Sequence, residues 1–252
     1  MKKTIFLILI YLAGLTGVMA MDRDSLYQKA NEAYTNGFYL EAIDQYLRIV
    51  DMGYESADLY FNTGNACFKL EDYPSAILYY EKAKKLDPND EDINFNLAIA
   101  NTRIVDKIEP VPEIFFRQWW RTFINIFNTD VWAMASVATF ILFFILLAFY
   151  LLSRVTRIRK AAFYTGLTIL FFALFTFFIA FQKYRSFQLD REAIIFTPTV
   201  TVKSSPNPNS VDLFVIHEGS KVKLMDQVGE WVEIRIANGS VGWLPAASIR
   251  KI

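Results

Sequence analysis

Two long apolar runs dominate the pattern of hydrophobic and polar positions along the chain. Residues 131–152 contain no charged side chain, and neither do residues 161–181. With a rise of about 1.5 Å per residue, a helix formed by either run exceeds the roughly 30 Å thickness of a bilayer's hydrocarbon core. The pattern therefore predicts two transmembrane helices, 131–152 and 161–181. They would form a hairpin, because only residues 153–160 separate them.

The segment between the two runs, SRVTRIRK, has four basic residues among eight. Short loops rich in Lys and Arg remain in the cytoplasm, which predicts a cytoplasmic loop at 153–160. The first twenty residues favour the same orientation. Two lysines precede an apolar stretch, and Val18 and Ala20 occupy the positions of a small-residue cleavage site, so residues 1–20 are predicted to be a signal peptide. An uncleaved anchor helix is the alternative. Either way, the segments before and after the hairpin would both be extracytoplasmic.

Residues 22–109 contain a helical pattern that occurs twice in succession. Small residues recur at Ala30 and Gly64, and aromatic residues recur at Tyr46 and Tyr80. Both the spacing and the residue sizes resemble the all-α tetratricopeptide repeat (TPR) family. The units would be 22–55 and 56–89, followed by a terminal helix at 90–108. Two and a half units are few for such a stack, so we expect the membrane-proximal segment or a partner to complete it.

By this resemblance, the first helices of the units line a groove that binds a peptide or protein. Two asparagines suit the clamp that some members use for a C-terminal carboxylate, but the basic residues of that clamp are missing. Segment 22–109 also has a net charge of −8, with 17 acidic and 9 basic residues. We therefore expect an apolar or basic partner surface. The alternative is that the groove aromatics only pack against a neighbouring helix. The predicted groove residues are Tyr27, Asn31, Tyr34, Phe61, Asn65, Phe68 and Lys69.

Aromatic and basic residues are mixed in segment 110–130, just before the first apolar run. Phe116, Trp120 and Phe123 recur at helical spacing, with Arg117 close by. Trp and Arg at this place are typical of a helix that lies in the headgroup layer, so the segment is predicted to be interfacial. Its role would be anchoring or, alternatively, the binding of a partner.

From residue 190 to residue 252 the pattern changes to short alternating runs separated by turn residues. This pattern predicts a small, strongly bent, all-β barrel. The order HEGSKVK, GEW, NG and GWLP resembles the bacterial SH3 (SH3b) family over essentially its whole domain. By that resemblance, Trp231 and Trp243 would form a binding face. Packing in the core or at the rim is the alternative for both tryptophans.

The sequence offers little for catalysis, metal binding or a cofactor. Cys67 is the only cysteine and His217 the only histidine, too few for a zinc site or a Cys–His pair. No phosphate-binding glycine motif occurs, and no basic stripe indicates nucleic-acid binding. Cys67 falls on a helix-packing position, and a structural role is expected for His217. The sequence thus predicts no catalytic, cofactor-binding or metal-binding residue, and no enzyme.

The order of the segments resembles the BatE family of the Bacteroides aerotolerance operon. That order is a signal, TPR units, an FRQWWR stretch, a transmembrane hairpin and a terminal SH3b module. The resemblance implies a scaffold of the bacterial inner membrane, linked to tolerance of oxygen or oxidative stress. Its implied partners are von Willebrand A-domain (vWA) Bat proteins and a MoxR-type ATPase. A binder of cell-wall peptides through the SH3b face is the rival hypothesis, and an accessory subunit that activates an enzyme is a third.

Overall fold

The structure is a computed structural model that describes residues 23–252 apart from Pro110, Glu113 and Asp190. The predicted signal segment, 1–20, lies outside the described residues. The chain forms two compact units. One combines the chain up to Pro110 with Glu192–Ile252, and the other spans Val111–Arg191. The first unit therefore joins segments that lie on opposite sides of the apolar runs in the sequence.

Five helices form the repeat in the first unit. They are α1 (residues 23–35), α2 (Tyr39–Asp51), α3 (Ala57–Lys69), α4 (Tyr73–Leu86) and α5 (Glu91–Asn101). Helix α4 starts as many residues after the start of α2 as α5 starts after the start of α3. This equal spacing agrees with the predicted repeat. The side chains of Ser56, Asp72 and Asp90 accept hydrogen bonds from main-chain N–H groups and so cap α3, α4 and α5.

Small residues allow the helices of the repeat to approach closely. Ala30, Ala42 and Ala76 are fully buried at these contacts. At Gly64 in α3, a Cβ atom would lie 2.7 Å from the Tyr80 ring of α4. The aromatic side chain of the second helix therefore occupies the space that the glycine leaves. This is the packing that residue size predicts in the sequence.

The second part of this unit, the sheet domain (residues 192–252), is one antiparallel sheet in the order β3-β2-β6-β5-β4-β1-β7. A closed barrel, which the sequence predicts, is not formed within the described strands, because β3 and β7 remain its two edges. Strand β1 pairs with β7 as well as β4, so it adds an edge strand instead of closing the sheet. The strands are β1 (Glu192–Ile195), β2 (Thr199–Lys203), β3 (Asp212–His217), β4 (Lys221–Val228), β5 (Trp231–Arg235), β6 (Val241–Pro245) and β7 (Ile249–Lys251).

Strand β1 is buried on both faces and joins the sheet to the helices. Ala193 and Ile195 belong to the apolar core of the sheet domain. Ile194, on the opposite face, belongs to a core cluster with Ile77 of α4 and Leu97 of α5. The sheet domain thus covers the end of the helical repeat. The expectation that a partner or the membrane-proximal segment completes the stack is therefore wrong for this end of the stack.

The second unit contains α6 (Phe115–Ile124), α7 (Thr129–Leu152) and α8 (Thr156–Leu189). Helices α7 and α8 are long and apolar enough to cross a membrane. In α7 only Ser136 is buried, so its apolar side chains face outward along nearly its whole length. Helix α8 begins at Thr156, inside the predicted loop, and the non-helical connection is residues 153–155. Helix α6 lies in the aromatic segment, and none of its residues is buried.

Candidate protein-binding site

A cavity of about 260 Å³, which we call the groove cavity, opens on the helical repeat. Residues of α1, α3, α4 and α5 contribute to its wall, in which apolar surfaces alternate with amide groups. Four of the seven residues predicted for the groove lie there: Tyr34, Asn65, Phe68 and Lys69. The structure adds three that the sequence analysis did not select as groove residues: Tyr80, Asn96 and Ile99.

Asn65 is the centre of a hydrogen-bond network in the groove cavity. Its Oδ1 accepts hydrogen bonds from Tyr80 Oη at 2.8 Å and from Asn96 Nδ2 at 2.9 Å. Burial raises the pKa of Tyr80, so its hydroxyl group remains a donor at neutral pH. Because both bonds use Oδ1, the Asn65 Nδ2 group faces no acceptor among the described residues. It could donate to a main-chain carbonyl group of a bound peptide.

The other three predicted groove residues do not line this cavity. Asn31 Oδ1 accepts a hydrogen bond from Tyr46 Oη at 2.6 Å. The Tyr27 hydroxyl group accepts one from Asn62 Nδ2 at 2.8 Å. The Phe61 ring packs against Tyr80 with 5.9 Å between ring centroids. For Tyr27, Asn31 and Phe61 the packing alternative describes the observed contacts.

The charge of the groove cavity fits an apolar or hydrogen-bonding partner. Lys69 is the one basic residue in its lining, and no acidic residue lines it. A carboxylate clamp needs several basic groups around one anion, and this wall does not provide them. Asn96 could have been found from the sequence, because it follows Asn62 by one full repeat and precedes Ile99 by about one helical turn.

The two predicted SH3b tryptophans lie on the outer face of the sheet. Trp231 of β5 is paired with Pro245, and Trp243 of β6 is paired with Glu233. Alternate residues of the same strands, such as Val232, point into the core. Both tryptophans are half-buried, and neither belongs to the core of the sheet domain. The structure therefore places the two rings on neighbouring strands of one surface.

Asp106, in the loop after α5, forms a partly buried polar contact with the sheet domain. Its Oδ2 accepts hydrogen bonds from the His217 main-chain N–H and from Ser220 Oγ, each at 2.7 Å. Its Oδ1 lies 2.8 Å from His217 Nδ1. Burial alone would raise the pKa of Asp106, but these hydrogen bonds outweigh it and lower the pKa. We call Asp106, His217 and Ser220 the Asp106 latch.

Lys221 provides a second polar link between the helical repeat and the sheet domain. Its Nζ lies 2.8 Å from Glu81 Oε2 of α4 and 2.7 Å from Glu192 Oε2 of β1. Burial by itself would lower the pKa of Lys221, but the two carboxylates outweigh this effect and raise the pKa. Lys221 therefore remains charged at neutral pH and holds two carboxylates of different elements together.

Cys67 is a packing residue in this structure. It lies in the core cluster with Ile77 and Leu97 and is 3% exposed. Burial raises the pKa of its thiol to about 12. The reactive thiolate is therefore scarce at neutral pH, as expected for a structural cysteine.

The helix period and the small residues at the helix contacts are typical of one repeat family. Residues 27–91 match the tetratricopeptide repeat family. The matched residues run from α1 to the start of α5, and we call them the TPR segment. Repeats of this family suggest a protein–protein interaction module and are typically non-catalytic. The groove cavity lies largely on the TPR segment.

One solved structure similar to this chain is the TPR2B domain:pHsp70 complex of yeast Sti1. The identity is 27% and the TM-score 0.31, over 32% of this chain. The matched part spans 66% of that structure's chain. The comparison with curated proteins finds no match.

Proposed function

We propose that this protein is a non-catalytic, membrane-anchored scaffold. Its TPR segment would recruit one protein partner, its sheet domain would hold a second, and the helix pair α7–α8 would fix both at the bilayer. The observation that carries the proposal is the shared first unit. The TPR segment and the sheet domain contact each other directly, although the two apolar helices separate them in the sequence.

This contact supports a two-pass topology. Segments that touch each other through the Asp106 latch must lie on the same side of a bilayer, so the chain between them crosses an even number of times. Helices α7 and α8 supply two crossings. The basic residues at 153–160 favour a cytoplasmic turn. The TPR segment and the sheet domain would then be periplasmic, at the inner membrane of a bacterium.

The groove cavity supports a partner that presents an apolar side chain beside main-chain acceptors. Phe68 and Ile99 offer apolar contact, and Asn65 offers an amide donor. An acidic tail would meet a segment with an excess of acidic residues and only Lys69 at the cavity. Following the resemblance to BatE, we propose that the partners are vWA-domain Bat-type membrane proteins, with a MoxR-type ATPase in the same system. The assembly would serve tolerance of oxygen or oxidative stress.

Capture of a Bat-type vWA membrane protein by the detergent-extracted full chain tests the groove. Ile99→Asp places a charge in the cavity wall and is expected to reduce capture about tenfold, the effect of losing one hot-spot contact. Lys29→Glu is the control, because Lys29 is an exposed residue of α1 outside the cavity, and it should stay within about twofold of the wild type. Equal capture by the wild type, Ile99→Asp and Lys29→Glu would mean that the partner does not bind at the groove cavity.

A second candidate function rests on the outward position of Trp231 and Trp243. Two half-buried rings on one sheet surface could bind peptides of the cell wall, in the manner that the SH3b resemblance implies. Isolated wall material in the same capture experiment separates the two functions. Retention on wall material that is lost in Trp243→Ala would favour the second candidate over the scaffold.

A further inference from the structure

A cavity of about 280 Å³, the basic cavity, lies where α7 ends and α8 begins. Tyr150 comes from the last turns of α7, and Arg159 and Lys160 come from the first turns of α8. The Arg159 guanidinium lies 5.5 Å from the centroid of the Tyr150 ring. This cation–π contact restricts the guanidinium, and its N–H groups donate to no described side chain. The whole lining is Tyr150, Thr156, Arg159, Lys160, Phe163 and Tyr164.

The cations of the basic cavity have no anionic partner within the described part of the chain. Arg159 and Lys160 form no ion pair or hydrogen bond with any described side chain. The basic residue near the opposite end of the helix pair differs in this respect. Lys183 Nζ donates to the carbonyl oxygens of Ile124 at 3.1 Å and of Phe127 at 2.7 Å. Lys183 is thus engaged within the second unit, whereas Arg159 and Lys160 are left open among the described residues.

Acidic residues are too far away along the chain to neutralise this end of the hairpin. No Asp or Glu occurs between residues 131 and 189. Asp130 lies in the first turn of α7, and the basic cavity lies at the last. A helix of 24 residues is about 36 Å long, far beyond the reach of an ion pair. No carboxylate of these two helices can therefore pair with the cations of the basic cavity.

The position of the basic cavity matches the phosphate layer of a bilayer. A helix of about 36 Å extends beyond the roughly 30 Å hydrocarbon core, so its last turn lies among the headgroups. Tyr150 is in that turn, and tyrosine is enriched at this depth. Phe163 is 48% exposed beside the cavity and offers apolar contact for an acyl chain. Basic pockets between transmembrane helices are known to bind anionic lipid headgroups.

We propose that the basic cavity binds the phosphate group of an anionic phospholipid, with Arg159 and Lys160 as its ligands. The inference rests on the proposed membrane span of α7 and α8. The headgroup would sit between the end of α7 and the start of α8, with its acyl chains along the outward apolar side chains of the helix pair. Such a lipid would fix the hairpin at a defined depth and hold its turn together.

Spin-labelled lipids test this site in the full chain reconstituted into phosphatidylcholine vesicles. The motionally restricted fraction of spin-labelled phosphatidylglycerol is compared with that of spin-labelled phosphatidylcholine. The wild type is expected to prefer phosphatidylglycerol by about fivefold or more. A single Lys or Arg near an anionic membrane surface contributes about 1 kcal/mol, which corresponds to about this ratio. The double variant R159Q/K160Q is expected to bring the preference to within about twofold of unity.

The charge-matched control is R154Q/R157Q, which removes two cations from the same predicted segment, 153–160, but outside the cavity lining. It should keep most of the preference. Equal losses in both double variants, or no preference in the wild type, would overturn the site. Added inorganic phosphate that abolishes the preference would reassign the cavity to free phosphate. Failure of the membrane span itself would look different, because neither spin-labelled lipid would then show a restricted fraction.

Discussion

Gly219→Ala is expected to open the contact between the sheet domain and the helical repeat. Gly219 has a φ of +83°, and a Cβ atom there would lie 2.3 Å from Ile104 Cγ2. The left-handed backbone costs about 1 kcal/mol for alanine, and overpacking of this kind adds about 1–3 kcal/mol. Opening of the contact should therefore become about a hundredfold more frequent. Hydrogen exchange of the His217 amide, which donates to Asp106 across this contact, reports it when measured on the full chain.

Two further variants separate the clash from the backbone strain. Gly229 also has a positive φ, +56°, but no atom lies within 4 Å of its Cβ position. Gly229→Ala should leave exchange of the His217 amide close to that of the wild type. The double variant Gly219→Ala/Ile104→Ala removes the methyl group that clashes and should recover most of the protection. If Gly219→Ala alone left the His217 amide as protected as in the wild type, the contact between the helical repeat and the sheet domain would not be as described.

Asp106→Ala is expected to weaken the same contact by about 3 kcal/mol, since it leaves the His217 main-chain N–H and the Ser220 hydroxyl group without their acceptor. Ser220 is only 2% exposed, so water does not easily replace the carboxylate. Buried donors left unpaired cost about 1–3 kcal/mol, and more when the lost partner is charged. Hydrogen exchange of the His217 amide should therefore accelerate about a hundredfold.

A surface pair provides the control for Asp106→Ala. Asp212 pairs with Lys203, and the Asp212 side chain is 65% exposed. Exposed ion pairs contribute about 0–1 kcal/mol, so Asp212→Ala should change little. A loss of stability in Asp212→Ala as large as that in Asp106→Ala would contradict the special role of the latch.

The Asp106 latch also predicts how stability depends on pH. Hydrogen bonds lower the pKa of Asp106 in the folded chain below its ordinary value of about 3.9. The contribution of this carboxylate is therefore complete above about pH 4 and is lost as the pH falls through the lowered pKa. The difference in unfolding free energy between the wild type and Asp106→Ala should therefore be smaller at pH 3 than at pH 5.

Sequence patterns predict the local elements of this protein well. The repeat period gives the helices, because packing of helix pairs needs small residues at fixed positions. Acidic residues before helices, such as Asp72 and Asp90, cap them as backbone chemistry requires. Alternation of apolar residues gives the strands. Each of these features depends on residues that are near one another in the chain.

The contact between the helical repeat and the sheet domain could not be predicted from a single sequence. Asp106 and His217 are 111 residues apart, and Glu81 and Lys221 are 140 residues apart. Neither pair belongs to a motif, and each residue alone is an ordinary surface group. The contact of Ile194 with the helical repeat could not be predicted either. A strand that is buried on both faces shows no alternation of apolar and polar residues, so its sequence does not indicate that a second element packs on it. The same strand, β1, pairs with β7, and β7 is one of the two edges at which the sheet stays open.

We propose that the helical repeat and the sheet domain form one unit on the outer side of a membrane, joined through a hairpin that turns in the cytoplasm. Single cysteines at Glu32, Ser153 and Ala237, labelled with a membrane-impermeant maleimide in intact spheroplasts, test it most directly. Cys67 gives little background because it is buried and its pKa is raised. Labelling is expected at residues 32 and 237 in intact spheroplasts, and at residue 153 only after the spheroplasts are lysed. Labelling of 32 and 237 from opposite sides would contradict it, because the Asp106 latch cannot form across a bilayer.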